Sequence, residues 1–297
     1  MMTAYLFAVG AALSWTLASL FGHGPARQLG SVHFNRLRML AATILLIIMM
    51  GVTGASWALP FQFILPILLS SIIGVVLGDY FLFVSMRRLG PRRTGILFAA
   101  NAPIAACLGW LILDEAVSVN TLLAVISGFI GICLAVIYGK RRDLLHVWED
   151  ITPPLWIGVG AGVLAAIGQA AGVLFLRPVM EAGMDPLMVS LVRVAVGAVI
   201  FWAILPFDPA RKQAMLIPDS KTGWMIIANG VFGLSFGVAL LLQALKTGNV
   251  ADVTILSATS PVLILPFVWY QTGKCPSPAA WAGACLVVLS AILLVES

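Results

Sequence analysis

The sequence predicts an all-α membrane protein whose ten transmembrane helices form two inverted five-helix repeats. Three observations carry that expectation. Apolar residues make up 61% of the 297-residue chain and charged ones 10%, with a mean hydropathy of +1.05. A soluble domain is about 25% charged, so lipid has to be the solvent of this one. The chain also repeats a signature. Gly90 precedes Pro103 by 13 residues, and 158 residues further on Gly248 precedes Pro261 by 13, both within apolar runs. Finally, each half holds five spans, an odd number, so the second half enters the membrane from the opposite side. A site between inverted halves then falls near the midplane.

A crossing helix needs roughly 20 mostly apolar residues. The spans that satisfy this are 4–22, 33–53, 62–84, 93–113, 119–139, 155–176, 187–205, 223–245, 250–271 and 279–295. The first has no charged side chain before its apolar core, so it reads as a span rather than a cleaved signal peptide. Arg36 and Arg38 open the second, and Asp79 sits in the third, in GVVLGDYFLFV. The fourth and ninth carry Pro103 and Pro261; the sixth is rich in small residues, and Arg193 enters the seventh. Residues 1–139 form the first repeat, 140–154 a linker and 155–297 the second repeat. In the linker Leu144, Leu145, Trp148 and Ile151 share one helical face, which suits either a piece lying along the bilayer surface or a plain connection. Residues 206–222 are polar and proline-bounded.

Charge fixes an orientation. Only Arg177, Arg193 and Lys246, of the 17 Lys and Arg, fall on the N-terminal side. The positive-inside rule makes the rich side cytoplasmic, so both termini are expected outside the cytoplasm, in the inner (plasma) membrane. The net charge of +5 therefore belongs to a membrane face, and no nucleic-acid partner is expected. Cys107, Cys133, Cys275 and Cys285 are scattered without a CxxC pair, which gives neither a disulfide framework nor a zinc site. No phosphate-binding GxxxxGK[ST] loop occurs, so the chain has no ATP motor of its own and no ATPase subunit is required. GxSxG at Gly233–Gly237 lies in mid-span with no later histidine, and so is not a nucleophile elbow. Gly158–Gly162 has no preceding strand to make it a dinucleotide loop. No catalytic residue, cofactor or metal is expected.

A few side chains stand out against the apolar background. An acid at a helix centre costs about 2.5–3.5 kcal/mol on insertion scales, so Asp79 needs a partner or a wet cavity. Arg36 or Arg38, entering from the same side, can supply the partner. Asp79 then reads as a substrate-amine or proton site, or as half of a structural ion pair. Proline obstructs the carbonyl four residues earlier, at Ala99 and Ser257 here. Beside them Asn101, Thr259 and Ser260 make either a polar substrate cavity or ordinary kinks satisfied by nearby hydroxyls. Gln169 and Gln243 add hydrogen-bonding groups that line a cavity or hold helices together. Trp15, Tyr80, Phe83 and Phe98 can stack on a flat substrate or simply pack. Arg193 reads as a snorkelling anchor or a ligand, and MRRLGPRR (residues 86–93) as a topology and lipid contact or an anion-recruiting patch. Gly74/Gly78, Gly158/Gly162, Gly168/Gly172 and Gly233/Gly237 have the spacing that lets helices approach closely.

Several of these stretches resemble the EamA-type branch of the drug/metabolite transporter superfamily over nearly the whole chain. They are AALSWTLASL with Trp15, NRLRMLAA with Arg38, the run GILFAANAPIAACLGWLILDEAVS and its partner DVTILSATSPVLILPFVWYQTGKCPS. Pro103 with Glu115 fits the family's habit of ending the fourth span of each half on an acid. Gly273 or Lys274 stands where the second acid would be. The resemblance implies ten helices, inverted repeats and export of small metabolites such as amino acids, with the aromatic amino-acid exporters as one branch.

The function expected is a secondary transporter exporting small metabolites by alternating access around a midplane cavity. Its partners are a small-molecule substrate and the bilayer, with either the substrate's gradient or protons as driving force. The alternatives are a channel, a lipid-translocating protein or a sugar-phosphate or nucleotide-sugar carrier.

Overall fold

Lipid offers no hydrogen bonds to a bare backbone, so an apolar chain of this length satisfies its peptide groups within helices. The computed structural model of the protein describes residues 2–114, 118–138, 154–207, 218–260, 262–263, 266, 269–270, 275 and 277–295. Within these the first half contains α1 (Met2–Leu29), α2 (Ser31–Thr53) and α3 (Phe61–Ser70). A π-helical segment (Ser71–Leu77) leads on to α4 (Gly78–Ala99), α5 (Asn101–Leu113) and α6 (Val119–Tyr138). The second half contains α7 (Leu155–Glu181), α8 (Pro186–Ala203), a short 3-10 turn (Leu205–Phe207) and α9 (Ser220–Gly230). A second π-helical segment (Val231–Phe236) joins α9 to α10 (Gly237–Leu245), and α11 (Val250–Ser257) and α12 (Pro278–Val295) follow.

Local chemistry explains the boundaries. Gly30, with φ of 83°, turns the chain between α1 and α2 in a conformation that disfavours a Cβ. Asp185 caps α8 by accepting from the Leu187 amide at 2.9 Å, with Pro186 in the first turn, where no amide is needed. Asn249 caps α11 through the Asp252 amide at 3.0 Å. Gly78–Ala99 is helical on both sides of the charged MRRLGPRR stretch, within which Pro91 has no amide hydrogen to donate. The Ser85 and Thr94 hydroxyls stand 3.0 Å apart, whereas nine residues of straight helix rise about 13 Å. The chain therefore doubles back here, between the third and fourth expected spans.

Six stretches among the described residues are long and apolar enough to cross a bilayer: Met2–Gly22, Ser31–Thr53, Phe61–Leu89, Leu155–Glu181, Pro186–Phe207 and Ser220–Leu245. Shorter apolar helices cover Leu97–Leu113, Val119–Leu134 and Pro278–Ser290. The ninth expected span is described only in part. The linker face (Leu144, Leu145, Trp148, Ile151), Glu115, Pro261, Gly273 and Lys274 lie outside the described residues. Large apolar side chains such as Val52, Phe61 and Trp224 point away from the bundle, as a lipid-facing surface requires.

The two repeats interleave rather than stand apart. The first helix of each half lies along the third span of the other: α1 against α9, Val231–Phe236 and α10, and α7 against α3, Ser71–Leu77 and α4. Second meets second (α2 with α8), fourth meets fourth (α5 with α11) and fifth meets fifth (α6 with α12). Alanines pack the interior faces of α1 and α7, among them Ala8, Ala11, Ala165 and Ala170, all fully buried.

Candidate functional site

The third span of each half breaks from α-helix into a π-helical segment with one glycine inside it and another directly after it, Gly74 and Gly78 in one half and Gly233 and Gly237 in the other. At the first, α7 crosses backbone to backbone. A Cβ placed on Gly172 would stand 2.9 Å from Gly74 Cα, and one on Gly168 would stand 3.2 Å from Gly78 Cα. At the second, α1 crosses through a side chain. The Trp15 indole donates to the Gly233 carbonyl at 2.9 Å and fills the space a Cβ on Gly237 would need. Ser14 donates to the neighbouring Phe232 carbonyl at 2.6 Å. The π turn exposes carbonyls that a regular helix would bond internally, and α1 satisfies two of them.

Between these crossings lies a buried charged cluster. Arg38, only 5% exposed, is held on every edge of its guanidinium. Nε donates to Asn35 Oδ1 at 2.8 Å, Nη1 to Asn229 Oδ1 at 2.9 Å, and Nη2 pairs with the Asp79 carboxylate. One face lies over the Phe83 ring at 4.8 Å and near Phe34 at 5.5 Å, and the two rings meet edge to face. Asn229 is fixed in turn by donating to the Ala18 carbonyl at 2.9 Å. Of the two arginines expected to pair with Asp79, Arg38 does so. Arg36 instead donates to the Phe201 carbonyl at 3.0 Å beside the Trp202 ring, tying α2 to α8.

Arg193 does not snorkel to the interface. It is 3% exposed, and its guanidinium reaches the glycine crossing, where Nη2 would stand 3.1 Å from a Cβ on Gly74. There it lies within electrostatic reach of Asp79. Arg38 is seven residues into α2 and Arg193 seven residues into α8, each about 10 Å along its helix. Two arginines thus approach one carboxylate.

The other expected residues are spread around this cluster. Phe83 belongs to it. Tyr80 packs edge-on against Phe81 and is over a third exposed. Asn101 is buried and donates to the Phe98 carbonyl at 2.7 Å. Pro103 falls in the first turn of α5, just after the helix breaks at Ala100. Gln169 is half-buried, its backbone beside Gly78. Thr259 donates to the Leu256 carbonyl at 2.7 Å, and Ser260 to Ala12 at 2.9 Å, joining the fourth span of the second half to α1. Gln243 lines a separate open cleft of about 420 Å³ with Met49, Asp185, Phe236, Leu240 and Lys246, at the face where α2 ends and α8 begins.

Asn35, Asn229 and Phe34 complete the cluster and were not singled out by the sequence. Asn229 has a signal, though: a polar residue four before the first glycine of each pair, Ser70-x-x-x-Gly74 and Asn229-x-x-x-Gly233. Each donates to the helix that crosses it, Ser70 to the Gly172 carbonyl at 2.7 Å and Asn229 to that of Ala18. A second buried acid, Asp252, accepts from the Tyr5 hydroxyl at 3.1 Å. It too escaped notice, because it lies at the mouth of its span. Among the described residues no group of His, Cys, Asp and Glu could hold a metal.

Comparisons agree with this two-part architecture. A solved structure, described only as a crystal structure of protein, superposes with a TM-score of 0.79 over 99% of this chain and 96% of its own, at 16% sequence identity; that likeness concerns the fold. No curated protein matches the chain. The EamA-like transporter family matches twice, over residues 2–137 and 156–296, which are the two halves that interleave in the bundle. The chain therefore belongs to the EamA-like transporter family, and it is a multi-pass membrane transporter of small molecules.

Proposed function

We propose that the protein exports small amphiphilic metabolites, amino acids and among them aromatic ones, by alternating access. On this reading ten helices, five in each half and the halves inverted, rock about the cluster of Arg38, Asp79 and Asn229. That cluster is the observation that supports it most. It is a charged, hydrogen-bonded group inside a lipid-facing bundle, built from the second and third spans of one half and the third span of the other. Intramembrane charges of this kind are costly and line transport paths. The cleft beside Gln243 and Lys246 opens at one face of the bundle, and on this reading it deepens towards the cluster as the halves rock, while the Phe34–Phe83 pair and the Arg38–Asp79 bridge stand on the other side. Membrane placement follows the charge count, with an inner-membrane location and both termini outside. The driving force is the substrate's gradient or protons, Asp79 being the acid placed to carry one.

Counterflow in proteoliposomes tests this. Vesicles loaded with unlabelled phenylalanine should accumulate labelled phenylalanine transiently, with saturation and with competition by related amino acids. A non-saturating leak would indicate a pore instead, and flux that answers only to an imposed pH gradient would identify protons as the driver.

A further inference from the structure

The two repeats place equivalent residues around their arginines, and the two sets differ in chemistry. Alignment of the second spans sets Asn35 with Ser190 and Arg38 with Arg193. Alignment of the third spans sets Ser70 with Asn229, Gly74 with Gly233, Gly78 with Gly237 and Asp79 with Val238. Arg38 therefore has three strong acceptors, Asn35, Asn229 and Asp79, and uses all of them. At the matching places Arg193 has Ser190, Ser70 and Val238. Val238 accepts nothing. Ser70 spends its proton on the Gly172 carbonyl. Among the described residues the Ser190 hydroxyl and the Arg193 Nε are both buried without a hydrogen-bond partner. Among the described residues the carboxylate that acts on Arg193 is Asp79, and Asp79 is already bonded to Arg38.

A buried guanidinium and a buried hydroxyl without partners cost several kcal/mol where neither water nor a counter-charge reaches them. Two arginines facing one carboxylate leave the centre of the bundle one positive charge in excess. We infer that Arg193, with the Ser190 hydroxyl, receives the anionic group of the transported molecule, a carboxylate or a phosphate, in the place that Asp79 occupies for Arg38. The guanidinium fork bonds such a group through two parallel N–H donors, and Ser190 adds a third. The glycines at 74 and 172 let Arg193 reach this point with no side chain between it and the crossing helix. This assignment rests on the transporter reading above and narrows its substrate to molecules that carry an anion.

Thermal shift of the detergent-purified protein, at one ionic strength set with sodium chloride, separates the possibilities. The probes are phenylalanine, phenylacetate, phenethylamine and inorganic phosphate. Phenylalanine and phenylacetate should stabilise the wild type and phenethylamine should not. Stabilisation by phosphate alone assigns the same site to a phosphate group. Arg193→Gln should weaken the effective anion by roughly thirtyfold or more. Val238→Asp restores the missing carboxylate, leaves Arg193 in place and should abolish anion binding equally, so the idea stays testable if Arg193→Gln fails to fold. Asp79→Asn has the opposite expectation, tighter anion binding, which a purely structural network would not give. Stabilisation by phenethylamine alone overturns the inference, as does the lack of any shift with all three anions. Undiminished anion binding in Val238→Asp overturns it too. Intact phenylalanine counterflow in any of those cases leaves the transporter reading standing.

Discussion

Three glycines of α7 allow the packing to be tested with one substitution in three surroundings. In Gly172→Ala the new Cβ would stand 2.9 Å from Gly74 Cα, and in Gly168→Ala 2.8 Å from the Ile73 carbonyl oxygen. Carbon atoms in contact normally sit about 3.5–4.0 Å apart, so the Gly172 crossing has to open by about 0.6–1.1 Å. The obstacle is backbone on a neighbouring helix, which has no rotamer to turn aside. Overpacking of this kind costs about 1–3 kcal/mol. A Cβ on Gly160 meets nothing within 4 Å, so Gly160→Ala should gain helix propensity, about 1 kcal/mol. Heating detergent-purified protein and measuring the fraction that stays monodisperse should rank Gly160→Ala at or above wild type, and Gly168→Ala and Gly172→Ala well below it. Equal midpoints for Gly160→Ala and Gly172→Ala would refute the close crossing of α7 with the third span.

Other consequences follow from the same contacts. Arg38→Met strands the Asp79 carboxylate inside the bundle and should cost about 3–5 kcal/mol, as broken buried pairs do. Adding Asp79→Asn should recover part of that loss, and strictly additive effects in the double-mutant cycle would deny the coupling. Trp15→Phe keeps the ring but leaves the Gly233 carbonyl without its indole donor, for about 1–3 kcal/mol; an unchanged melting midpoint would show the bond to be immaterial. At the start of α9 the Thr222 side chain, and after it the Thr222 amide, hold the Asp219 carboxyl below the ordinary carboxylate range. The unfolded chain then binds more protons than the folded one in the acid range. The stabilisation is therefore complete at neutral pH and fades as pH falls through that depressed value. Asp219→Asn should flatten this part of the melting profile, and superimposable profiles would argue against the cap.

Legibility in the sequence followed the kind of physics involved. Hydropathy located the apolar helices, because lipid imposes the same requirement on every residue of a span. Glycine spacing located the crossings, since Gly74/Gly78 and Gly168/Gly172 do meet. The cost of a lone acid in lipid was enough to send Asp79 to an arginine. Where the sequence misled, a local reading stood in for a tertiary one. Arg193, one to two turns into a span, looked like a residue that would reach back to water. The glycine crossing instead gives its guanidinium a buried place within electrostatic reach of Asp79. The π-helical segments had no signature at all. Widening a helix by one residue per turn moves side chains around the axis but leaves composition untouched.

The partial symmetry of the site is best understood from what duplication preserves. The glycine pairs, the π segments and the polar residue four positions upstream recur because both halves must solve one packing problem, a first helix pressed against the backbone of a third span, by its own backbone in one half and by the Trp15 indole in the other. Nothing in that problem demands a charge. The arginines recur all the same, at the same depth in α2 and α8, while their acceptors do not: Asn35, Asn229 and Asp79 in one half, Ser190, Ser70 and Val238 in the other. If the arginines served only packing, either half would be at least as stable with an apolar residue there, given what a desolvated guanidinium costs. Retaining both while supplying acceptors for one makes sense when the second guanidinium meets its partner from outside the chain. Asp79, held by Arg38 and within reach of Arg193, then sets how strongly that partner is held, since any anion at Arg193 has to compete with its charge.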